Sequence, residues 1–162
     1  MAVRTSTGFE ALIFGSRSFE SIFENGCIEV RSGPQPDSAD LPPTGELLAR
    51  ITRDGEAWEP GSSEGGLRFS RSGRYVMKNP ADIWRLKGLA SGVVGWFRLL
   101  PNQEDTGLLS VTAPRIDGLM GVLPEAGETF TDTQIFLPTT SITSSTTIDI
   151  NYWWLAKPPL GE

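Results

Sequence analysis

The sequence predicts a mainly β protein: a single antiparallel β-sandwich or jelly-roll-like domain with a short helical segment at its N-terminus. Its 162 residues suffice for one domain with its own core. Its 18 glycines and 12 prolines divide the chain into short segments, several of which alternate apolar and polar residues as half-buried strands do. Turn residues recur about every ten positions, which is typical of sandwiches and barrels.

Two short helices are predicted in residues 1–26, because apolar residues recur there at helical spacing. The two sets are Phe9, Leu12 and Ile13, followed by Phe19, Ile22 and Phe23. Helices this short are marginal in water, so these side chains must dock on apolar surface. They either cover one end of the chain's own sheet or form an arm that packs on a neighbouring subunit. We expect residues 1–26 to bind outside their own β-domain, with these six residues as interface candidates.

The ends of both helices carry capping signals. Thr7 and Glu10 have the spacing of a capping box for the first helix, and Ser18 can cap the second. The pair Asn25-Gly26 tolerates positive φ, so we expect the second helix to end there.

Residues 27–156 are predicted to form the β-domain, and residues 157–162 a loose tail. Residues 27–31 alternate, with Ile28 and Val30 on one face. The prolines of residues 32–44 predict a surface loop. The pair Asp54-Gly55 predicts a tight turn. Residues 113–127 are rich in glycine and proline, so no strand is predicted there. Further strands are predicted at 46–52, 67–70, 74–78, 93–100, 108–111, 130–137 and within 141–154, with an extended segment at 81–89.

The strand patterns also predict which aromatic residues are buried. In residues 147–154 one face carries Trp154, so Trp153 falls on the opposite face, and we name it as an exposed, interface-facing aromatic. We expect one shared core to contain Val94, Trp96, Ile148 and Ile150. Core positions are also predicted for Trp58, Trp84 and Trp154. Close backbone approach within the sheet is the expected role of Gly88, Gly92 and Gly95.

The sequence contains no histidine and one cysteine, Cys27. It therefore lacks Ser-His and Cys-His nucleophile pairs and histidine metal sites. Carboxylate pairs are the remaining catalytic resource: Glu104 with Asp105, Asp37 with Asp40, or Asp117 with a distant glutamate. All of them lie in predicted loops, where acidic residues are expected for solvation. We predict no catalytic residue, no metal ligand and no cofactor, and we expect the acidic loops to face solvent or a basic partner surface.

Charge and hydropathy limit the partners. A formal net charge of −6 argues against nucleic acid, which requires a basic surface. No apolar run approaches the roughly 18 residues of a membrane span, and residues 1–8 show no signal-peptide pattern. The chain is therefore expected to bind neither nucleic acid nor a membrane.

A family resemblance covers several segments of the chain: the leader Arg4-Thr-Ser-Thr-Gly8 and residues 24–40, 44–48, 89–98 and 115–118. These segments resemble small virion-associated structural proteins of tailed bacteriophages. Members of that group have a similar leader and a loop like Ser32-Gly-Pro-Gln-Pro-Asp-Ser-Ala-Asp40 after a strand. The resemblance implies a non-enzymatic virion protein that is assembled in the bacterial host cytoplasm.

The position within the virion has three alternatives. The first is a capsid cement or decoration protein, a homo-oligomer that binds the major capsid protein or other virion proteins. The second is a structural component of the neck, tail or baseplate. The third is a carbohydrate-binding or depolymerising module of a tail appendage, for which exposed aromatic residues beside carboxylates are expected.

Overall fold

The computed structural model describes residues 3–73, 75–122 and 133–156. It confirms the predicted mainly β, sandwich-like class, with a large, mostly antiparallel sheet, a small second sheet and two short helices. The helices are α1 (Thr7–Phe14) and α2 (Phe19–Phe23). The strands are β1 (Arg4–Thr5), β2 (Cys27–Ser32), β3 (Leu47–Arg53), β4 (Phe69–Ser72), β5 (Tyr75–Lys78), β6 (Trp84–Gly88), β7 (Gly92–Leu100), β8 (Ile116–Val122), β9 (Thr133–Leu137), β10 (Ser141–Ile142), β11 (Thr147–Ile150) and β12 (Trp154–Ala156).

The large sheet has the strand order β1-β8-β7-β2-β3-β6-β11, with β10 paired to β7 and β9 paired to β8. Among these pairings, β8 with β9 is parallel and the others are antiparallel. The small sheet has the order β12-β5-β4. Strand β1 belongs to the N-terminal segment, so the segment is hydrogen-bonded into the large sheet.

The strand register places two neighbouring rows of residues across the large sheet. One row, which we call the apolar row, contains Thr5, Ile116, Leu99, Ile28, Ile51, Leu86 and Ile148. The next row, which we call the charged row, contains Arg4, Asp117, Arg98, Glu29, Arg50 and Lys87. Because successive side chains of a strand point to opposite faces, one face of the sheet is apolar and the other is charged.

Aromatic rings fill the space between the apolar face and the small sheet. The ring of Phe69 on β4 lies 5.3 Å from that of Trp84 on β6 and 5.7 Å from that of Trp153, measured between centroids. Trp84 and Trp153 are themselves 5.7 Å apart. Rings at these separations bury large apolar areas and prefer tilted or edge-to-face contacts. This cluster therefore joins the two sheets.

The N-terminal helices pack on the core of their own domain. Phe9, Phe19, Ile22 and Phe23 are buried in it, and Leu12 and Ile13 pack against it partly buried. The Phe19 ring lies 5.2 Å from Phe69 and 6.0 Å from Trp153, between centroids. The expectation that residues 1–26 dock outside their own β-domain is therefore corrected, because the aromatic cluster takes up their apolar side chains.

The helix caps and turns agree with the sequence in part. Ser18 caps α2, with Ser21 completing a capping box, and Asn25 adopts a φ of 62° beyond it. The cap of α1 is Ser6, whose side chain accepts from the Phe9 amide, so the predicted role of Thr7 is wrong. Asp54 and Gly55 both have positive φ, as a tight turn requires.

Three glycines allow close packing within the large sheet, as predicted. A Cβ at Gly88 would lie 1.9 Å from the carbonyl oxygen of Thr143, and one at Gly95 would lie 2.1 Å from that of Gly33. At Gly92 the neighbour is the side chain of Leu48. A larger residue at Gly88 or Gly95 would displace backbone.

Two predicted segments differ from the structure. Residues 108–111 are not a strand, and their apolar side chains are exposed. Residues 116–122, which were expected to be loop, form β8, where Gly118 sits against the ring of Phe97. The glycines of β8 make room for neighbouring side chains and so conceal the strand pattern. The predicted tail at 157–162 and the start of the predicted strand 130–137 lie outside the described residues.

The predicted solvent exposure of the two tryptophans near the C-terminus is reversed in the structure. Trp153 is buried in the aromatic cluster, whereas Trp154 is exposed. Strand β11 ends at Ile150 and β12 begins in the other sheet, so the alternation does not continue between them. Trp58, expected in the core, is half-buried, and its indole N–H donates to the carbonyl of Asn25.

The predicted shared core of Val94, Trp96, Ile148 and Ile150 is correct for three residues. Val94 and Ile150 are buried in the apolar cluster, and Ile148 packs against it. Trp96 is also buried, but on the face of Arg98. The register with β2 shifts between Val94 and Trp96, so the two side chains do not share a face.

Candidate functional site

The charged face of the large sheet contains an ion pair that is removed from solvent. Arg98 on β7 donates from Nε and Nη2 to the two carboxylate oxygens of Asp117 on β8, at 2.7 and 2.9 Å. The guanidinium carbon of Arg98 also lies 5.4 Å from the centroid of the Trp96 ring. On the other side of Arg98, Glu29 contacts Arg31 at 3.3 Å and Arg50 at 3.7 Å. Opposite charges thus face each other across the strands.

A second buried arginine, Arg115, holds the loops beside this face. Its Nε and Nη2 donate to the carboxylate of Asp105, each at 2.7 Å. Its Nη1 donates to the carbonyls of Ala39 and Asp40, and Nη2 donates to that of Leu108. One side chain therefore ties the loop around residue 40 to the loop that follows β7.

Ser6 adds the N-terminal segment to the same network. Its hydroxyl accepts from the amides of Phe9 and Arg115 and donates to the carbonyl of Ala113. Asp40 accepts from the amide and hydroxyl of Thr7, at 2.7 and 2.6 Å. These bonds fix α1 against the loops.

A cleft of about 370 Å³ opens between the charged face and the two loops. Its residues come from β2, the loop around residue 42 and the end of β7 with its following loop. They are Glu29, Arg31, Pro42, Pro43, Arg98, Leu100, Asp105, Thr106 and Gly107. The cleft is thus a charged pocket with an apolar wall.

The pKa values of the two carboxylates that bind the buried arginines, Asp117 and Asp105, shift in opposite directions. Burial raises the pKa of Asp117, and the hydrogen bonds from Arg98 do not offset it. Burial acts in the same direction on Asp105, but the hydrogen bonds from Arg115 and from the Gly107 amide outweigh it, so the pKa of Asp105 is lowered. Burial also raises the pKa of the Cys27 thiol on β2 to about 12. That thiol is therefore protonated and unreactive in the folded chain.

Next to the cleft lies an exposed apolar surface, which we call the loop surface: Leu41, Leu108, Leu109 and Val111. The leucines at 108 and 109 are 66% and 65% exposed. The Ser110 amide donates to the carbonyl of Asp40 at 2.9 Å, so the two contributing loops are adjacent. Because Arg115 bonds to both loops, these apolar side chains stand on an anchored backbone.

Exposed aromatic residues occur on the small sheet. Tyr75 on β5 and Trp154 on the edge strand β12 are diagonal neighbours across the two strands, with ring centroids 5.6 Å apart at 76°. Tyr152, just before β12, is 83% exposed. The two paired rings are nearly perpendicular and do not form one flat platform.

The acidic residues singled out from the sequence have different environments. Asp37 and Glu104 are exposed, as expected. Asp40 and Asp105 instead bond within the chain, to Thr7 and Arg115. The expectation that all four face a partner or solvent is therefore corrected for these two, because their carboxylates cap and anchor loops. Asp117 lies in the buried pair with Arg98 and not in a loop.

Sequence reasoning missed both arginines of this site. Arg98 lies in a strand that the sequence predicts, but its partner Asp117 lies in β8, which the sequence does not predict. The sequence signal for Arg115 is its position directly before Ile116 and Asp117, an apolar and a polar residue in the order that is typical of a strand.

Within the described ranges, no group of three or more cysteine, aspartate or glutamate residues is placed to hold a metal ion. No helix in that part of the chain is long and apolar enough to cross a membrane. Comparison of the chain with protein-family models, with curated proteins and with solved structures gives no match.

Proposed function

We propose that this chain is a non-enzymatic structural protein of the tailed-bacteriophage virion, and that it acts as a capsid cement or decoration protein. In this proposal the chain assembles in the host cytoplasm, associates as a homo-oligomer on the capsid, and binds the major capsid protein through the loop surface. The resemblance of residues 24–40 and 89–98 to virion proteins supports this class. The absence of disulfides from a chain with one cysteine fits assembly in a reducing compartment.

The observation that carries the proposal is the ordered, exposed loop surface. Exposed apolar side chains that cluster into a surface patch commonly mark protein contacts. The backbone that carries Leu108 and Leu109 is anchored by hydrogen bonds from Arg115 to the carbonyls of Asp40 and Leu108. A loop that is ordered before binding loses less conformational entropy on association, so such a surface favours binding to a protein.

Two measurements test this function. Quantitative mass spectrometry of purified virions gives the copy number of the chain relative to the major capsid protein. A comparable copy number supports capsid decoration, and absence from virions rejects the proposal. In the second measurement, Leu108→Ser/Leu109→Ser should abolish binding to isolated capsids, because the double variant removes the apolar contact.

The matched control is Leu89→Ser, which changes an exposed leucine between β6 and β7, outside the loop surface. We expect this variant to bind capsids like the wild type. Equal binding by all three proteins would contradict the role of the loop surface while leaving the virion location to the mass spectrometry.

The neck, tail or baseplate remains the alternative location, and a copy number far below that of the capsid protein would favour it. The carbohydrate-binding alternative is favoured by the exposed residues Tyr75, Tyr152 and Trp154. Its test is retention on host polysaccharide, which Trp154→Ala should abolish, since stacking on sugars requires an exposed ring.

A further inference from the structure

Two arginines that line the cleft on the charged face, Arg98 and Arg31, each carry an N–H group without an acceptor among the described residues. Arg98 is 1% exposed, and Asp117 occupies its Nε and Nη2. Its Nη1 is buried and has no hydrogen-bond partner among the described residues, and the same holds for Nε of Arg31. Both residues line the cleft. Because a buried charged donor without an acceptor is costly, such groups in native proteins are paired with water, an ion or a ligand.

The ion pairs around the cleft contain one positive charge in excess. Four arginines contact three carboxylates: Arg31, Arg50, Arg98 and Arg115 with Glu29, Asp105 and Asp117. Glu29 is shared by two of the arginines, whereas the other two carboxylates each bind one. Among the described residues, the arginines of these ion pairs therefore outnumber the carboxylates by one.

The shape of the cleft suits a small molecule. Its volume of about 370 Å³ falls in the range of ligand pockets, roughly 300–1,000 Å³. Pro42, Pro43 and Leu100 give it apolar surface, and Thr106 and Gly107 line it from the loop after β7. Guanidinium groups bind carboxylates and phosphates through directed, charge-assisted hydrogen bonds.

We propose that this cleft binds a small molecule with an oxyanion head and a short apolar body. The head, a carboxylate or a phosphate, accepts hydrogen bonds from Arg98 Nη1 and Arg31 Nε. The body lies against Pro42 and Pro43. This site uses none of the side chains of the loop surface, and it adds a small-ligand site to a chain whose proposed function needs only protein contacts.

The test is an NMR titration of the ¹⁵N-labelled chain with butyrate and, separately, with butyl phosphate, with sodium chloride at matched ionic strength as the salt control. We expect saturable shifts of the Thr106 and Gly107 amides and of the Nε–H signals of Arg31 and Arg98. Arg31→Gln should weaken binding about tenfold, because it removes a charged donor. The control Arg71→Gln changes an exposed arginine that pairs with Glu20 outside the cleft, and it should bind like the wild type.

The two probes distinguish the head groups: tighter binding of butyrate assigns a carboxylate, and tighter binding of butyl phosphate assigns a phosphate. The proposal is overturned if neither probe gives saturable shifts, if chloride gives the same shifts, or if Arg71→Gln weakens binding as much as Arg31→Gln. If Arg31→Gln does not fold, Arg31→Lys replaces it. The lysine keeps the charge but lacks the Nε donor, so weaker binding is again expected. Virion location and capsid binding are measured separately, so failure of one proposal does not decide the other.

Discussion

The apolar row and the charged row of the large sheet cross the same strands one residue apart, and they differ in what holds them. In the apolar row, Ile28, Ile51 and Leu99 are fully buried and contact a continuous hydrophobic core. In the charged row, Arg98 and Asp117 are as deeply buried, but each depends on one specific partner. Apolar burial is shared over many neighbours, whereas burial of a charge is tolerated only with its partner present.

This difference also separates stability from binding. The apolar face is closed by the small sheet and by the N-terminal helices. The charged face is covered by loops, which leave a cleft and place apolar residues at the surface. Both candidate sites, the cleft and the loop surface, therefore lie on the side of the sheet where polar bonds replace core packing.

The largest expected loss of stability comes from the aromatic cluster. Trp84→Ala removes a fully buried ring that contacts Phe69 and Trp153, and we expect it to lower the free energy of unfolding by about 3–5 kcal/mol. Urea unfolding followed by circular dichroism measures it. The control Trp154→Ala removes an exposed ring and should cost less than about 1 kcal/mol. Equal losses in the two variants would show that the cluster does not join the sheets.

The charged row gives the second largest effect. Arg98→Met leaves Asp117 buried without its partner, and we expect a loss of about 3 kcal/mol, at the lower end for broken buried pairs because the cleft admits solvent beside it. The double variant Arg98→Met/Asp117→Leu should lose less than the single variant, because no charge is left unpaired. Urea unfolding measures both.

An exposed pair provides the control for this comparison. Arg85→Met breaks the contact with Asp149, which is partly open to solvent, so the expected loss is about 0–1 kcal/mol. The double variant Arg98→Met/Asp117→Leu could instead be less stable than Arg98→Met. That result would show that the two side chains stabilise the fold by more than neutralising each other's charge.

The two faces also differ in how far the sequence alone predicts them. Strands β2 and β7 could be predicted to within one residue of their bounds, because alternation and flanking glycine or proline are local signals. The pairing of Arg98 with Asp117 could not be predicted, because it requires the register of β8. Glycines conceal β8, since Gly118 leaves space for Phe97.

The loop surface shows the opposite error. Leu108, Leu109 and Val111 predicted a strand, because apolar residues usually indicate burial. In the structure, Arg115 holds this segment as a loop with its apolar side chains in solvent. An apolar pattern alone does not distinguish a core strand from a contact surface. The distinguishing bonds, such as Arg115 to Ala39, join residues far apart in sequence.

A smaller, pH-dependent effect is expected at Asp105. Because its pKa is lowered in the folded chain, Asp105 contributes stability above the ordinary aspartate pKa of about 3.9, and that contribution is lost as the pH falls through the folded value. Asp105→Asn should therefore cost about 1–3 kcal/mol at neutral pH and less near pH 3. Urea unfolding at the two pH values measures the difference.

The control for this prediction is Asp37→Asn, which changes an exposed carboxylate of the other loop. We expect a change within about 0.5 kcal/mol at both pH values. A cost of Asp105→Asn that stays constant between the two pH values would contradict the electrostatic origin of the loop anchor.

The smallest effect is expected at the Cys27 thiol, where the measured quantity is the rate of chemical labelling. This rate compares how the charged face and the apolar core open. Cys27 is fully buried at the start of β2, one residue before the apolar row, and its pKa is raised to about 12. Native protein should therefore react with a thiol reagent only after opening, and the reaction should accelerate as urea unfolds the chain.

If labelling follows global unfolding, Cys27 reports the stability of the whole sheet. If Cys27 is labelled quickly without urea while the tryptophan fluorescence of the chain stays native, then the charged face opens independently of the apolar core. Labelling of Arg98→Met and of the wild type under the same conditions then measures how much the buried ion pair keeps that face closed.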